Sequence, residues 1–180
     1  MSFALEIRGV SKRFVVGIAG CTGSVSVLRA ADLTLRRGEA VAVAGARGAG
    51  KSTLLLCAAG LLRVDSGSVA WFGSPDRSVA ADRTLYYFAG GTPRGLKRPN
   101  EGMLHVVDGP ESLCLASASR TARWIDRRCS EGDAVLLALR SVEVAREIAP
   151  RVVVLRDGRV RADGIETSAR VAEPTACGTF

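Results

Sequence analysis

The sequence has few aromatic residues and a single histidine, and each shortage argues against a class of site. Aromatic residues make up only 5% of the chain, too few for the stacking platforms that bind single-stranded nucleic acid. His105 is the only histidine, and none of the five cysteines forms a C-x-x-C pair. A zinc site and a disulfide framework are therefore not expected. Reduced thiols in a cytoplasmic protein fit this cysteine pattern.

Long hydrophobic runs and clusters of basic residues are also missing. No apolar run reaches the ~18 residues of a membrane span, and charged residues from Glu6 to Arg13 interrupt any signal-peptide core, so we expect neither. The formal net charge is +7, but no run of four basic residues occurs. A scattered basic excess is typical of a solvated surface, and we therefore expect no nucleic-acid partner.

The apolar residues present suffice for one core and follow the periods of strands and helices. The chain is 47% hydrophobic over 180 residues, which favours a single compact domain. Antiparallel strand candidates come first, and strands and helices then alternate, an order that predicts an α/β domain with a mostly parallel core sheet. The predicted strands are 3–10, 12–16, 25–35, 40–44, 68–72, 84–89, 103–107, 134–139, 152–155 and 159–161, and the predicted helices are 51–62, 111–128 and 142–148.

One motif carries a specific chemistry. Residues 45–52 read Gly-Ala-Arg-Gly-Ala-Gly-Lys-Ser and satisfy the P-loop pattern G-x-x-x-x-G-K-[ST], between an apolar strand and a helix. Glycines let backbone N–H groups point at phosphate oxygens, and the helix N-terminus adds partial positive charge. The alternative is a glycine-rich turn with an exposed lysine. The motif predicts a site for ATP with Mg²⁺ formed by Gly45, Ala46, Arg47, Gly48, Ala49, Gly50, Lys51, Ser52 and Thr53.

Two side chains of the loop and a later aspartate are the candidate ligands for phosphate and metal. Lys51 supplies a full charge to the β- and γ-phosphates, and Ser52 offers its hydroxyl to Mg²⁺. Residues 103–108 read Met-Leu-His-Val-Val-Asp, an apolar run that ends in a carboxylate. Asp108 is therefore predicted to hold Mg²⁺ through water, with a helix N-cap or a turn aspartate as the alternative.

Three stretches of the sequence resemble the ATP-binding subunit of ABC transporters. Residues 27–39 are similar to the segment that leads into that family's Walker A loop, and residues 54–69 to the helix and turn after it. Residues 148–160 match the family's closing strand pair. The likeness covers residues 3–72 well and 103–162 loosely. It implies the P-loop NTPase fold, with three α/β layers, a mostly parallel core sheet and an N-terminal antiparallel β subdomain.

The resemblance also implies a function in transport and a set of partners. It implies a homodimer or a heterodimer with another ATP-binding subunit, a membrane permease subunit as partner, and a cytoplasmic location at the inner face of the cell membrane. Phe14 corresponds to the family's aromatic A-loop residue that stacks on adenine, with a core or edge-strand phenylalanine as the alternative. We expect one domain over residues 1–164 and a flexible tail over 165–180.

The first departure from the family concerns its helical subdomain and signature motif. The sequence contains no LSGGQ motif, and residues 88–92 (Phe-Ala-Gly-Gly-Thr) have only a faint likeness to it. The family glutamine expected after the strand that reads Leu85-Tyr86-Tyr87-Phe88 is absent, and Ala89-Gly90-Gly91 stands there. The loop 90–102 leaves no room for the helical subdomain that carries the signature. We interpret this as a deletion that makes the chain a reduced cassette.

The second departure concerns the catalytic groups. The residue after Asp108 is Gly109, where the family has its catalytic glutamate, and Glu111 lies beyond Pro110. Arg140 follows the strand 134–139, where the family has its switch histidine, and a guanidinium does not accept a proton. Losing a positioned general base costs roughly 10²–10⁴-fold in rate. The sequence thus predicts a degenerate ATPase that binds ATP with slow or negligible turnover.

Three hypotheses follow from these features. The first is a reduced ABC-type ATP-binding subunit associated with a transporter. The second is a nucleotide-sensing regulatory module in which bound ATP sets a conformation and drives no transport. The third is a small P-loop kinase, for which Arg94 and Arg98 would be the lid arginines, although the segments that flank the P-loop argue against it.

Overall fold

The computed structural model describes residues 2–18, 21–88, 102–109 and 118–166. Two β-sheets and four helices make up these residues, and each element is numbered in chain order. Residues 89–101, 110–117 and 167–180 lie outside the described residues. The faint signature likeness, Glu111, the two lid arginines and most of the predicted tail therefore lie outside them too.

The N-terminal residues form a three-stranded antiparallel sheet, which confirms the predicted antiparallel β subdomain. Its strands are β1 (Phe3–Ile18), β2 (Cys21–Arg36) and β4 (Ser66–Trp71), in the order β2-β1-β4. The strands predicted at 3–10 and 12–16 are one continuous strand. Register shifts on either side of Lys12 keep β1 paired with β2 across the break in the apolar pattern.

The second sheet has six strands in the order β5-β6-β7-β3-β8-β9, and β9 alone is antiparallel to its neighbour. This arrangement confirms the mostly parallel core sheet. The carboxyl ends of β3, β6 and β7 consequently meet at one edge. The strands are β3 (Ala40–Ala44), β5 (Thr84–Phe88), β6 (Leu104–Asp108), β7 (Ala134–Leu139), β8 (Arg151–Arg156) and β9 (Arg159–Glu166).

Helices cover both faces of the parallel sheet. Helix α1 (Lys51–Ala58) packs with the antiparallel sheet on one face, and α3 (Ala118–Ser130) and α4 (Val142–Ile148) pack on the other. The strand β3 is buried on both sides, since Val41 and Val43 face α1 while its alanines face α4. No helix among the described residues is long and apolar enough to cross a membrane.

Helix α1 is shorter than the sequence predicts. It ends at Ala58 rather than at residue 62, because Gly60 takes a φ of 72° and leaves the helical region. Trp71 closes this end by donating its indole N–H to the carbonyl of Ala58 at 2.6 Å. A Cβ on Gly60 would lie 2.8 Å from the Cβ of Ala80, so the turn also permits close packing of the next helix.

That next helix, α2 (Arg77–Arg83), is absent from the sequence-based prediction. It is only seven residues long, too short for an apolar period to show. Its start does carry a signal: the Asp76 side chain accepts a hydrogen bond from the N–H of Ser78 at 2.9 Å, as an N-cap does.

A series of buried hydrogen bonds lies on the face of the parallel sheet that packs against α3. His105 of β6 bonds through Nε2 to Asp133 at 2.9 Å and through Nδ1 to the Tyr87 hydroxyl at 2.9 Å. Asp133 also accepts the N–H of Met103 at 2.8 Å and is only 3% exposed. The Trp124 ring meets the His105 ring edge-on at 5.5 Å. Both ring nitrogens of the single histidine thus have hydrogen-bond partners inside the core.

Replacing Asp133 by alanine should lower the free energy of unfolding by about 2 kcal/mol, because it leaves the buried Met103 N–H and His105 without their acceptor. Asp82→Ala, which removes an exposed carboxylate on α2, is the matched control and should change stability by less than about 0.5 kcal/mol. Urea unfolding of both variants measures the difference. Equal midpoints for the two variants would contradict the structural role assigned to Asp133.

Candidate phosphate-binding site

A cleft of about 840 Å³ opens where the carboxyl ends of β3, β6 and β7 meet. Its size is within the usual range for a ligand site. The predicted loop forms one wall, the end of β6 a second, and the segment from β7 into α4 the third. The described residues that line it are Val27, Arg47, Gly48, Gly50, Lys51, Ser52, Thr53, Asp108, Gly109, Ala138, Leu139, Arg140, Ser141 and Val144.

The glycines of the loop occupy positions that other residues would not fit. Gly48 has a φ of 83°, and Gly50, at the N-cap of α1, has a φ of 101°. A Cβ on Gly45 would lie 2.4 Å from the carbonyl oxygen of Leu155. Because glycine carries no side chain, the backbone can curl tightly at these three positions and run directly into α1. Backbone donors and the positive end of a helix thus face the same cleft.

Lys51 is the first residue of α1 and bends back along the loop. Its ammonium group donates hydrogen bonds to the carbonyl oxygens of Gly45 at 2.6 Å and Ala46 at 2.7 Å. Partial burial lowers the pKa of Lys51, and the positive charge of Arg140 lowers it further, while the charge of Asp108 raises it. The loop, the end of β7 and the end of β6 are therefore close enough to interact electrostatically.

Asp108 ends β6 and lines the cleft together with Ser52, as the sequence predicts. The hydroxyl of Tyr86 on the neighbouring strand β5 donates a hydrogen bond to Asp108 Oδ2 at 3.3 Å. Burial, and then the charge of Asp108, raise the pKa of Tyr86, so its hydroxyl stays protonated and remains a donor. Tyr86 cannot be recognised as a site residue from the sequence, because only the pairing of β5 with β6 brings its side chain to Asp108.

The hard oxygen donors of this cleft fit Mg²⁺ better than a softer metal. Ser52 and Asp108 both line it, and Mg²⁺ binds through one or two protein oxygens together with phosphates and water. No group of three or more histidine, cysteine, aspartate or glutamate residues among the described ranges could hold a metal by itself. A metal at this cleft would therefore need the phosphates as ligands.

Gly109 and Arg140 both line the cleft. They stand at the two positions where the resemblance to the family implies catalytic groups. Gly109 has a φ of 89°, a conformation that side-chain-bearing residues rarely adopt. The backbone after Asp108 therefore suits glycine and disfavours a glutamate. Arg140 is exposed and follows β7 directly. Asp108 is the only acidic residue among the described residues that line the cleft.

Phe14 does not line the cleft, but it lies along the face of the sheet that leads to it. It pairs with Val25 across the β1–β2 ribbon and is 37% exposed, with the Lys12 ammonium 5.6 Å from its ring centre. Val27, two residues from Val25 on β2, does line the cleft, and a register shift in the β1–β2 pairing lies between the two residues. Phe14 is thus an exposed ribbon residue rather than a core residue.

Comparison with known proteins places these features in one family. Residues 28–88 match the family described as ABC transporter. An ABC transporter ATP-binding protein of Streptomyces coelicolor is 31% identical to the chain, covering 96% of the chain and 40% of that protein. The lipoprotein-releasing system ATP-binding protein LolD of Ruegeria sp. is 50% identical over 80 residues, which are 44% of the chain and 33% of LolD. The chain thus spans about two fifths or less of the length of these relatives.

Solved structures agree on the fold. An ATP-binding cassette of an ABC transporter in its ADP conformation superposes with a TM-score of 0.69 at 12% identity, covering 93% of the chain and 92% of the cassette. An ATP-binding subunit of an ABC transporter gives a TM-score of 0.65 at 18% identity, with 89% of each chain covered. At these identities the likeness concerns the fold alone.

Proposed function

The chain belongs to the ATP-binding proteins of the ABC transporter family, and on that premise we propose that it binds ATP with Mg²⁺ in the cleft at residues 45–53. The observation that carries the proposal is the convergence of Lys51, Ser52 and Asp108 on one cleft beside the glycine-rich start of α1. Asp108 is far from Lys51 and Ser52 in the sequence, and only the order of the parallel strands brings it to the loop.

Each group has a defined task in this proposal. The backbone N–H groups of the loop hold the phosphate oxygens, and Lys51 exchanges its two carbonyl acceptors for the β- and γ-phosphates. Ser52 and Asp108 hold Mg²⁺, and the Tyr86 hydroxyl orients the Asp108 carboxylate. The metal, when bound, neutralises part of the phosphate charge.

The adenine ring is assigned to the part of the ribbon that includes Phe14 and Val27. Val27 lies next to the loop, because a Cβ on Gly50 would lie 3.3 Å from its side chain. The exposed Phe14 ring lies further along the ribbon, where Phe14 pairs with Val25. An aromatic ring at this point offers a stacking surface for a base.

Hydrolysis is proposed to be slow in the isolated chain. Attack on the γ-phosphate needs a group that orients or deprotonates water. The described lining residues offer Asp108, which is assigned to the metal, and no second carboxylate or histidine. Arg140 stays protonated and cannot serve as a base. Binding and cleavage thus depend on different residues, and the described residues that line the cleft supply only those for binding.

We further propose a cytoplasmic domain over residues 1–164, at the inner face of the membrane, paired with a second ATP-binding subunit and a permease. A heterodimer would set this P-loop against a signature motif supplied by the other subunit. The regulatory module remains the second candidate, because a cleft that binds ATP and hydrolyses it slowly suits a nucleotide sensor. Transport activity reconstituted with a permease distinguishes the two functions.

Titration calorimetry of the purified chain with ATP and Mg²⁺ tests the binding proposal. Saturable binding of one nucleotide per chain is the expected result, with ADP as a competitor because the loop also holds the β-phosphate. Adenosine, which lacks phosphates, is the matched control and should bind far more weakly. Absence of saturable ATP binding up to about 1 mM, which corresponds to roughly −4 kcal/mol, would overturn the proposal.

A further inference from the structure

The part of β1 that carries Phe14 pairs with a single neighbouring strand. Among the described strands, β4 pairs with β1 only as far as Ser11, opposite Ser66, and beyond that point β1 pairs with β2 alone. A two-stranded ribbon is only marginally stable in water. Contacts from other elements must therefore help to fix where the Phe14 ring stands.

Asp65 supplies such contacts from the segment that joins α1 to β4. Its carboxylate accepts hydrogen bonds from the Lys12 ammonium at 2.7 Å and from the backbone N–H of Arg13 at 2.6 Å. Its own N–H donates to the carbonyl of Ser11 at 3.0 Å. One aspartate thus holds three consecutive residues of β1, at the point where the pairing with β2 shifts register on either side of Lys12.

The Lys12 ammonium connects Asp65 to the Phe14 ring. It lies 5.6 Å from the centre of that ring, and the Lys12 side chain is only 14% exposed. An ammonium over an aromatic face is attracted by the π-electrons of the ring. The hydrogen bond from Lys12, and then that from the N–H of Arg13, lower the pKa of Asp65. The carboxylate is therefore charged at neutral pH and holds the ammonium beside the ring.

The same contacts lie beside the end of α1 that is opposite to the phosphate loop. Burial raises the pKa of the Cys57 thiol to about 11, while the charge of Lys12 lowers it and that of Asp65 raises it further. Cys57 is in the last turn of α1, and Lys51 at the other end lines the cleft. The position of Phe14 is thus linked to the helix that directs a phosphate ligand into the cleft.

We propose that Asp65 is a positioning residue for the nucleotide base: by holding Lys12 and the backbone beside it, Asp65 fixes the Phe14 ring where the base stacks. This inference rests on the proposed function, because it requires a nucleotide on the loop and its base at Phe14. Asp65 is not among the described residues that line the cleft. Its contribution should therefore appear in the affinity for a nucleotide and not in the affinity for phosphates alone.

The test compares the affinities of the full chain and its Asp65→Ala variant for ATP and for inorganic tripolyphosphate, which has the phosphates but no base. Calorimetric titration with Mg²⁺ should show ATP binding about fivefold weaker in Asp65→Ala, a part of what a stacked base contributes, and tripolyphosphate binding within about twofold of the wild type. Asp65→Asn, which keeps an oxygen acceptor for the N–H of Arg13, should recover part of the loss. Lys12→Gln, which removes the ammonium beside the ring, should weaken ATP binding as Asp65→Ala does.

A double-mutant cycle with Phe14 separates positioning of the ring from a merely structural effect. In a Phe14→Ala background, Asp65→Ala should weaken ATP binding no further, because the ring that it positions is gone. Glu6→Ala is the matched control, since it breaks another ion pair of β1, with Arg8, in the part of the strand that pairs with β4. It should leave both affinities unchanged.

Three results would contradict the role of Asp65 while the P-loop assignment stands. They are an equal loss of ATP and tripolyphosphate binding in Asp65→Ala, the same loss of ATP binding with and without Phe14, and no loss at all. If Phe14→Ala alone leaves ATP affinity unchanged, the base does not stack at Phe14, and the base assignment fails together with this inference. If the wild type binds neither ATP nor tripolyphosphate, the proposed function itself fails.

Discussion

Replacing Lys51 by alanine should weaken binding of ATP with Mg²⁺ by about 100-fold, because charged hydrogen bonds contribute roughly 1.5–3 kcal/mol each. The ammonium is the only full charge that α1 directs into the loop, where it already bonds the carbonyls of Gly45 and Ala46. With alanine there, the backbone N–H groups remain, so weak phosphate binding persists. Calorimetric titration of wild type and variant measures the change.

The fold should survive this change. Alanine is the residue most favourable to helix, and of the two carbonyls that lose Lys51, that of Ala46 is exposed. The thermal midpoint of Lys51→Ala should therefore stay close to that of the wild type, and Lys51→Arg should bind ATP with intermediate affinity. Unchanged ATP affinity in Lys51→Ala would show that residues 45–53 form a structural turn and not a phosphate site.

The purified chain should hydrolyse ATP roughly 10²–10⁴-fold more slowly than a cassette with its catalytic glutamate, the usual contribution of a general base. The deficit has two structural causes. Gly109 has a φ of 89° at the position where the base would stand, and the switch position carries Arg140. Phosphate release under saturating ATP and Mg²⁺ measures the rate.

The Lys51→Ala variant gives the background in that assay, because it strongly weakens phosphate binding by the loop. The turnover of the wild type should lie close to this background. Addition of a second ATP-binding subunit that carries a signature motif and a catalytic glutamate is the condition under which turnover should rise. Robust turnover by the purified chain alone would contradict the account of Gly109 and Arg140.

Much of the architecture around the site follows from local sequence. The strands β3 and β7 and the helix α4 have the bounds predicted from the sequence pattern. A strand buried on both faces is continuously apolar, and such runs are clear in this chain. Because the P-loop pattern depends on its neighbours in sequence, its place between β3 and α1 was predictable.

Features that depend on contacts between distant residues were not predictable in this way. The hydrogen bond from Tyr86 to Asp108 exists because β5 lies beside β6, and no spacing in the sequence indicates that pairing. The early end of α1 depends on Gly60 packing against α2, itself too short to detect by periodicity. The side chain of Arg140 lies close to Lys51 only through the parallel pairing of β7 with β3.

The role of Phe14 likewise could not be decided from the sequence. The sequence leaves an adenine-stacking residue and a core or edge-strand residue as alternatives, and burial separates only the core residue from the other two. An exposure of 37% argues against the core. The role in stacking stays a prediction.

The central claim is that the chain holds ATP without cleaving it. Incubating the full chain with labelled ATP and Mg²⁺, separating it from free nucleotide and identifying what remains bound tests both halves of that claim. The predicted result is one ATP per chain, recovered intact after many minutes. Recovery of ADP, or of no nucleotide at all, would contradict it.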